Sequence, residues 1–183
     1  MGGVFLEDIR TFRKGDLQNV KEVLRESFFV KGKDEVYNEW EFAEQILLDK
    51  GFREKLCLVA SQGEEIVGYC IMTDARIEDE EGLALGPVAV KKEFRGQGIG
   101  TRLIDACLGR AREAGFPWAA VLGGEFYHRF GFESAKTWGI FLPKGQQGNE
   151  FLQILFFDAG SQGVAQGELW YCDSFYNKKG ELL

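Results

Sequence analysis

The stretch Leu83–Gly100, LALGPVAVKKEFRGQGIG, decides the fold, because an apolar run leads through Lys91 and Lys92 into a glycine-rich turn that opens a helix. Leu83, Leu85, Val88 and Val90 suit a buried strand, and Gly86-Pro87 cannot both continue a regular ladder, so a bulge or kink is expected there. Gly96, Gly98 and Gly100 then fall within Arg95–Thr101. Glycine reaches positive φ and lets a ligand approach without meeting a Cβ, while the first amides of a helix have no intrahelical acceptors. An anion, and a phosphate in particular, fits that place. The helix is predicted from Ile99, Leu103, Cys107 and Ala111, with Ile104 and Leu108 beside them and Arg102, Asp105, Arg110, Arg112 and Glu113 on the other face. Gly115 and Pro117 end it, and the wholly apolar Trp118–Leu122 predicts a strand buried on both faces, completing a βαβ-type unit.

The Walker pattern needs Gly-Lys-Ser/Thr after four spacers, which the chain lacks. The dinucleotide pattern G-x-G-x-x-G meets Thr101 or Leu103 where its third glycine should stand. Arg95, Gly98 and Gly100 do fill Arg-x-x-Gly-x-Gly, and here the sequence resembles the GCN5-related N-acetyltransferase (GNAT) superfamily, whose pattern Q/R-x-x-G-x-G/A lies between the fourth strand and the third helix. Downstream, Glu125–Phe132, EFYHRFGF, resembles the family's second hallmark, an aromatic-rich short helix ending in Gly-Phe. LGPVAV, the VLGG before FYHRFGF, and late strands around Gln153–Phe157 and Glu168–Cys172 resemble the branch of small bacterial acetyltransferases of the YhbS type. The resemblance runs from Val4 to Tyr176, with its specific motifs between Leu83 and Phe132.

That resemblance implies an α/β (α+β) fold over residues 1–183 as one domain: a mixed sheet of about seven strands, splayed between the fourth and fifth, flanked by about four helices. It implies an enzyme that transfers the acetyl group of acetyl-CoA to a primary amine by direct attack in a ternary complex. The pyrophosphate would rest on the turn formed by Arg95, Gly96, Gln97, Gly98, Ile99, Gly100 and Thr101. Its amides Gln97–Gly100 would bind the phosphates, with the Thr101 hydroxyl beside them. The backbone of Val88, Ala89 and Val90 would pair with the pantetheine amides like an added strand. Tyr127 matches the family's phenol that protonates, or hydrogen-bonds to, the departing sulfur. Two other readings of the glycine turn stand beside this one: a module that senses acyl-CoA without turnover, and a dinucleotide-dependent oxidoreductase, which the missing third glycine disfavours.

The net charge of −7 over 183 residues lacks the basic footprint that nucleic acid requires. No apolar run approaches a membrane span, and Met1–Val4 lacks the segments of a signal peptide, so a soluble, cytoplasmic protein with no membrane partner is expected. Cys57, Cys70, Cys107 and Cys172 sit singly in apolar runs, as reduced core residues do, and with His128 as the only histidine no metal site is expected. The partner is a small-molecule or peptide amine, and the chain admits a homodimer.

Along the rest of the chain, Val4–Phe12 reads as a strand, and Asp16 as the cap of a helix with Leu17, Val20, Leu24 and Phe28 on one face. A second helix begins near Asn38, turns Trp40, Ala43, Ile46 and Leu47 inward, and stops at Gly51. Leu56–Ser61 and Ile66–Ile77 form a hairpin across Gln62-Gly63-Glu64. For the base that must deprotonate the amine, the candidates are Asp74 and the run Glu78, Asp79, Glu80, Glu81. This acidic rim, beside a wall left bare by Gly123-Gly124, would suit a cationic acceptor. Trp138, Phe141, Trp170 and Tyr171 are assigned to core packing, as are Phe126, Phe130 and Phe132, and His128 to a half-exposed helix position without a catalytic role.

Overall fold

Helix α1 (Leu17–Phe28) forms because Val20, Val23 and Leu24 repeat at helical spacing and all three are buried. Asp16, expected to cap this helix, belongs instead to a short 3-10 turn before it and accepts from Arg10 at 2.7 and 2.9 Å and from the Arg13 amide at 2.7 Å. The Arg10 hydrogen bond is the main reason its carboxyl is held below the usual carboxylate range. The computed structural model describes residues 8–28, 39–163 and 165–183. Strand β1 is therefore seen as Asp8–Thr11, and helix α2 as Glu39–Ile46 with Ala43 and Ile46 buried. Residues 4–7 of the expected first strand and the Trp40 side chain lie outside what is described.

The chain divides into two compact units, the first made of Met1–Leu48, Glu54–Ile71 and Pro87–Arg110. In it β1 runs antiparallel to β2 (Phe52–Gln62), from Asp8↔Ser61 to Thr11↔Leu58. Gly63, at φ +61, turns the chain into β3 (Glu65–Ile77), giving the expected hairpin. Helix α3 (Ile99–Glu113) buries Ile99, Leu103, Ile104, Cys107 and Leu108, the face predicted for it. Gly68 of β3 sets how closely its first turn approaches: a Cβ there would lie 2.8 Å from Leu103 Cδ1 and 3.2 Å from Ile99 Cγ2.

The second unit comprises Asp49–Arg53, Met72–Gly86 and Ala111–Leu183. Strand β4 (Glu80–Val90) pairs parallel with β5 (Trp118–Leu122) from Leu83↔Ala119 to Leu85↔Val121. That ladder ends one residue before Gly86, whose φ of +132 is the expected break. Beyond β5 lies β8 (Leu152–Phe156), antiparallel, which in turn takes β6 (Glu133–Ser134). Strand β9 (Gly167–Tyr171) pairs with the end of β3, Ala75↔Tyr171 to Ile77↔Leu169, and carries β7 (Ile140–Phe141) in parallel. Nine strands thus stand among the described residues where about seven were expected, because β6 and β7 are two-residue additions too short to leave a period in the sequence. The late strands β8 and β9 do not pair with each other. Trp118, Ala120, Ile154, Leu169 and Tyr171 share one apolar cluster, and burying it draws them to different neighbours.

Candidate functional site

The glycine turn is held mostly by its own chain. After a 3-10 turn at Lys92–Phe94, Gly96 and Gly98 take φ of +75 and +79, and α3 begins at Ile99. The Arg102 amide donates to Gly98 O at 3.0 Å. The amides of Ile99, Gly100 and Thr101 therefore stand ahead of the helix's first internal bond, as the opening of a helix dictates. Arg102 folds back, its Nη2 donating to Gln97 O at 2.9 Å. Arg95 Nε donates to Val90 O at 2.9 Å, closing the loop, and Ser27 Oγ reaches the same carbonyl at 3.3 Å. On that strand Ala89 is buried, with Val88 and Val90 half-buried. Lys91 is committed to Glu65 at 2.8 Å, and that hydrogen bond raises its pKa. Gly100 sits in the helix, where a Cβ would meet Val90 Cγ2 at an ordinary 3.6 Å.

Tyr127 occupies the short 3-10 helix Glu125–Phe130, which Gly131 terminates at φ +93. The Tyr127 ring is half-buried, with centroids 5.4, 6.5 and 6.1 Å from those of Phe126, Phe130 and Phe132. Phe132 is buried as expected, whereas Phe126 is 41% exposed under the Arg129 guanidinium, 4.3 Å above its ring. His128 is exposed. Gly123 is no bare wall: the Tyr127 ring fills the space a Cβ on Gly123 would take. The Gly123 amide donates to Phe151 O at 3.0 Å, and Gln153 Nε2 donates to both Gly123 O (2.7 Å) and Gly124 O (3.0 Å). Sequence reasoning passed over Gln153; its signal was a lone amide in the buried run LQILF.

The acidic rim is not beside this turn. In the parallel register of β4 and β5, Glu81 precedes Leu83 by two residues and Gly123 follows Ala119 by four. At about 3.3 Å per residue, Glu81 lies roughly 20 Å from Gly123 along the strands. Of the acids, Asp74 and Glu81 line a separate pocket of about 270 Å³ with Asp49, Phe116, Trp170 and Cys172. There Asp74 is bound bidentately by Arg53, at 2.7 and 2.9 Å. Glu78, at φ +49 in the β3–β4 turn, accepts from the Glu168 amide of β9 at 2.8 Å. Burial would raise the Asp49 pKa, but the Ser174 hydroxyl (2.6 Å), the Ser174 amide (2.7 Å) and the Gly51 amide (2.8 Å) outweigh it and lower the value. Of the acids expected to supply a base, Asp74 is thus engaged by Arg53 and Glu78 by the Glu168 amide.

Trp170 and Tyr171 face this pocket instead of serving only as core, while Phe141 is 46% exposed and Trp138 donates to Glu133 at 2.9 Å. Cys57, Cys70 and Cys107 are free and buried, as expected. Cys172 is half-buried and lines the pocket, with burial pushing its thiol up to about 12. Among the described residues no group of His, Cys, Asp and Glu could hold a metal ion, and no helix is long and apolar enough to cross a membrane.

The family described as Acetyltransferase (GNAT) domain matches residues 53–134. The uncharacterized N-acetyltransferase YhbS of Escherichia coli is 36% identical over 84 residues, 44% of this chain and 50% of YhbS, so the match spans half the length of that relative. The uncharacterized N-acetyltransferase YjhQ of the same organism is 32% identical over 126 residues, 66% of each chain. Among solved structures, YhbS in complex with CoA superposes with a TM-score of 0.84 at 23% identity, covering 96% of this chain and 94% of that one. A GNAT family acetyltransferase from Brucella melitensis, in complex with acetyl-CoA, gives 0.74 at 26% identity, covering 93% and 99%. With the glycine turn, the aromatic helix and the broken parallel pair all in the expected order, the chain belongs to the GNAT acetyltransferase family.

Proposed function

We propose that this protein is an acetyl-CoA-dependent N-acetyltransferase acting on a primary amine by direct transfer, with the whole chain as its catalytic domain. The likeness to YhbS, which extends over 96% of the chain, supports the single-domain reading. The observation that carries the function is Gly98 at φ +79, immediately before a helix whose first internal bond starts at the Arg102 amide. The amides of Ile99, Gly100 and Thr101 are thereby presented to an anion, and nothing lies within 4 Å of where a Gly96 Cβ would stand. These groups fit a pyrophosphate. Bound acetyl-CoA supplies the activated thioester, and the solved relatives in complex with CoA and acetyl-CoA support that choice of ligand.

In this reading the turn from Arg95 to Thr101 binds the pyrophosphate and the backbone of Val88–Val90 binds the acyl-carrying arm. The amine nitrogen forms its bond to the thioester carbonyl, the C–S bond breaks, and the phenol of Tyr127 donates its proton to the departing sulfur. The acceptor is a small molecule or a peptide amine. Because the acidic rim and the Tyr127 turn stand at opposite ends of β4 and β5, the rim gives no preference for a cationic acceptor at that turn.

Calorimetric titration with CoA, acetyl-CoA and NADPH tests the ligand. Binding of both CoA species without NADPH is the expected result, and tight NADPH binding without CoA binding overturns the reading. Thiol release from acetyl-CoA across a panel of amines then identifies the acceptor. Tight acetyl-CoA binding with no amine turned over would favour an acyl-CoA sensor.

A further inference from the structure

We infer that Gln153 is a positioning residue for Tyr127, an inference that rests on the proposed role of Tyr127. Gln153 lies on β8 opposite Val121, is 5% exposed, and is the single polar side chain of an otherwise apolar buried strand. A leucine would be the ordinary choice at such a position, because a buried amide costs free energy wherever its hydrogen bonds are incomplete. They are incomplete here: Oε1 has no protein partner, while Nε2 spends both its hydrogens on Gly123 O and Gly124 O.

Those two carbonyls connect directly to Tyr127. Gly124 O also accepts the Tyr127 amide at 3.3 Å, the bond that opens the short helix. Gly123 is the residue on whose α-carbon the Tyr127 ring rests. One amide side chain therefore holds both the floor under the phenol ring and the carbonyl from which its helix turn hangs. Its position in β8 is fixed independently, by the antiparallel ladder from Trp118↔Phe156 to Leu122↔Leu152. Gln153 thus ties the Tyr127 turn to β8, and a donor is required, since a carboxylate there would face two carbonyl oxygens.

The test combines Gln153→Leu and Gln153→Glu with Tyr127→Phe. All five tyrosines are replaced by 3-fluorotyrosine, and the ¹⁹F signal of Tyr127 is assigned by its loss in Tyr127→Phe. Both Gln153 variants should move or broaden that signal, leave the signals of Tyr69 and Tyr171 in place, and remain folded by circular dichroism. Thiol release from acetyl-CoA, with water or an amine from the panel as acceptor, should fall about tenfold or more in kcat with the KM for acetyl-CoA unchanged. In the Tyr127→Phe background the same substitutions should change kcat less than about twofold, because the group they position is already gone. An unmoved Tyr127 signal, or an equal loss of rate in both backgrounds, overturns the inference. Full activity of Tyr127→Phe alone would instead remove the acid role of Tyr127, a different result from either.

Discussion

Two glycine pairs stand at turns after strands, Gly96 and Gly98 after β4 and Gly123 and Gly124 after β5, and they are glycine for different reasons. Gly96 and Gly98 are left-handed, at φ +75 and +79, and around Gly96 a Cβ would meet nothing within 4 Å. Backbone conformation demands glycine at both, and the space stays open beside Gly96, whereas a Cβ on Gly98 would lie 2.8 Å from Arg102 Nη1. Gly123 and Gly124 lie outside the left-handed region, and at Gly123 glycine is demanded by the Tyr127 ring packed against its α-carbon. A short polar-glycine string in a sequence does not distinguish these cases. One is set by backbone conformation and the other by a side chain of the protein itself.

Substitutions that add a Cβ or a charge should separate the two turns. The largest effect is expected from Gly98→Asp, which adds strain, bulk and a negative charge at the proposed pyrophosphate site. Its affinity for CoA, measured by calorimetry, should fall by more than about a hundredfold while the fold persists. Unchanged affinity would move the phosphate site elsewhere. Gly123→Ala should do the reverse, leaving CoA affinity within about threefold but displacing the phenol ring, with kcat down roughly a hundredfold and stability down by about 1–3 kcal/mol in a denaturant titration. If its kcat matches that of the unaltered protein, the ring has room to move and the comparison fails.

Tyr127→Phe keeps the ring and discards the hydroxyl. It should lower kcat about thirtyfold at constant acetyl-CoA KM and leave the melting temperature within a few degrees. Asp74→Asn probes the acidic rim, which lies away from the Tyr127 turn. Because the Asp74 and Arg53 side chains are 35% and 48% exposed, so that water screens the pair, the loss of stability should stay within about 1 kcal/mol and kcat should hold within about twofold. A large fall in kcat would restore Asp74 as a base. The smallest effect belongs to Gly100→Ala, whose Cβ meets only Val90 Cγ2 at 3.6 Å, so stability and CoA affinity should change less than about twofold by the same two measurements.

How much of this was legible in advance differs between the same two turns. The first is local: the amides that open α3 follow from where the helix starts, and Ile99, Leu103 and Cys107 place that start by their spacing alone. The second depends on pairing between distant strands. That Tyr127 covers Gly123 requires the short helix to fold back on its own entry, and that Gln153 reaches Gly124 requires β8 to return beside β5.

By itself, then, the sequence determined the hairpin at Gly63, the break at Gly86, the apolar face of α3 and the left-handed glycine before it, since each is set by residues within a few positions of one another. Only the tertiary structure decided that β9 pairs with β3 and not with β8, that Arg53 binds Asp74, and that the acidic rim faces a pocket at the far end of the parallel pair. Strand partners and ion pairs across 21 or more residues are chosen by which apolar surfaces can be buried together, a property of the whole chain that no local spacing encodes.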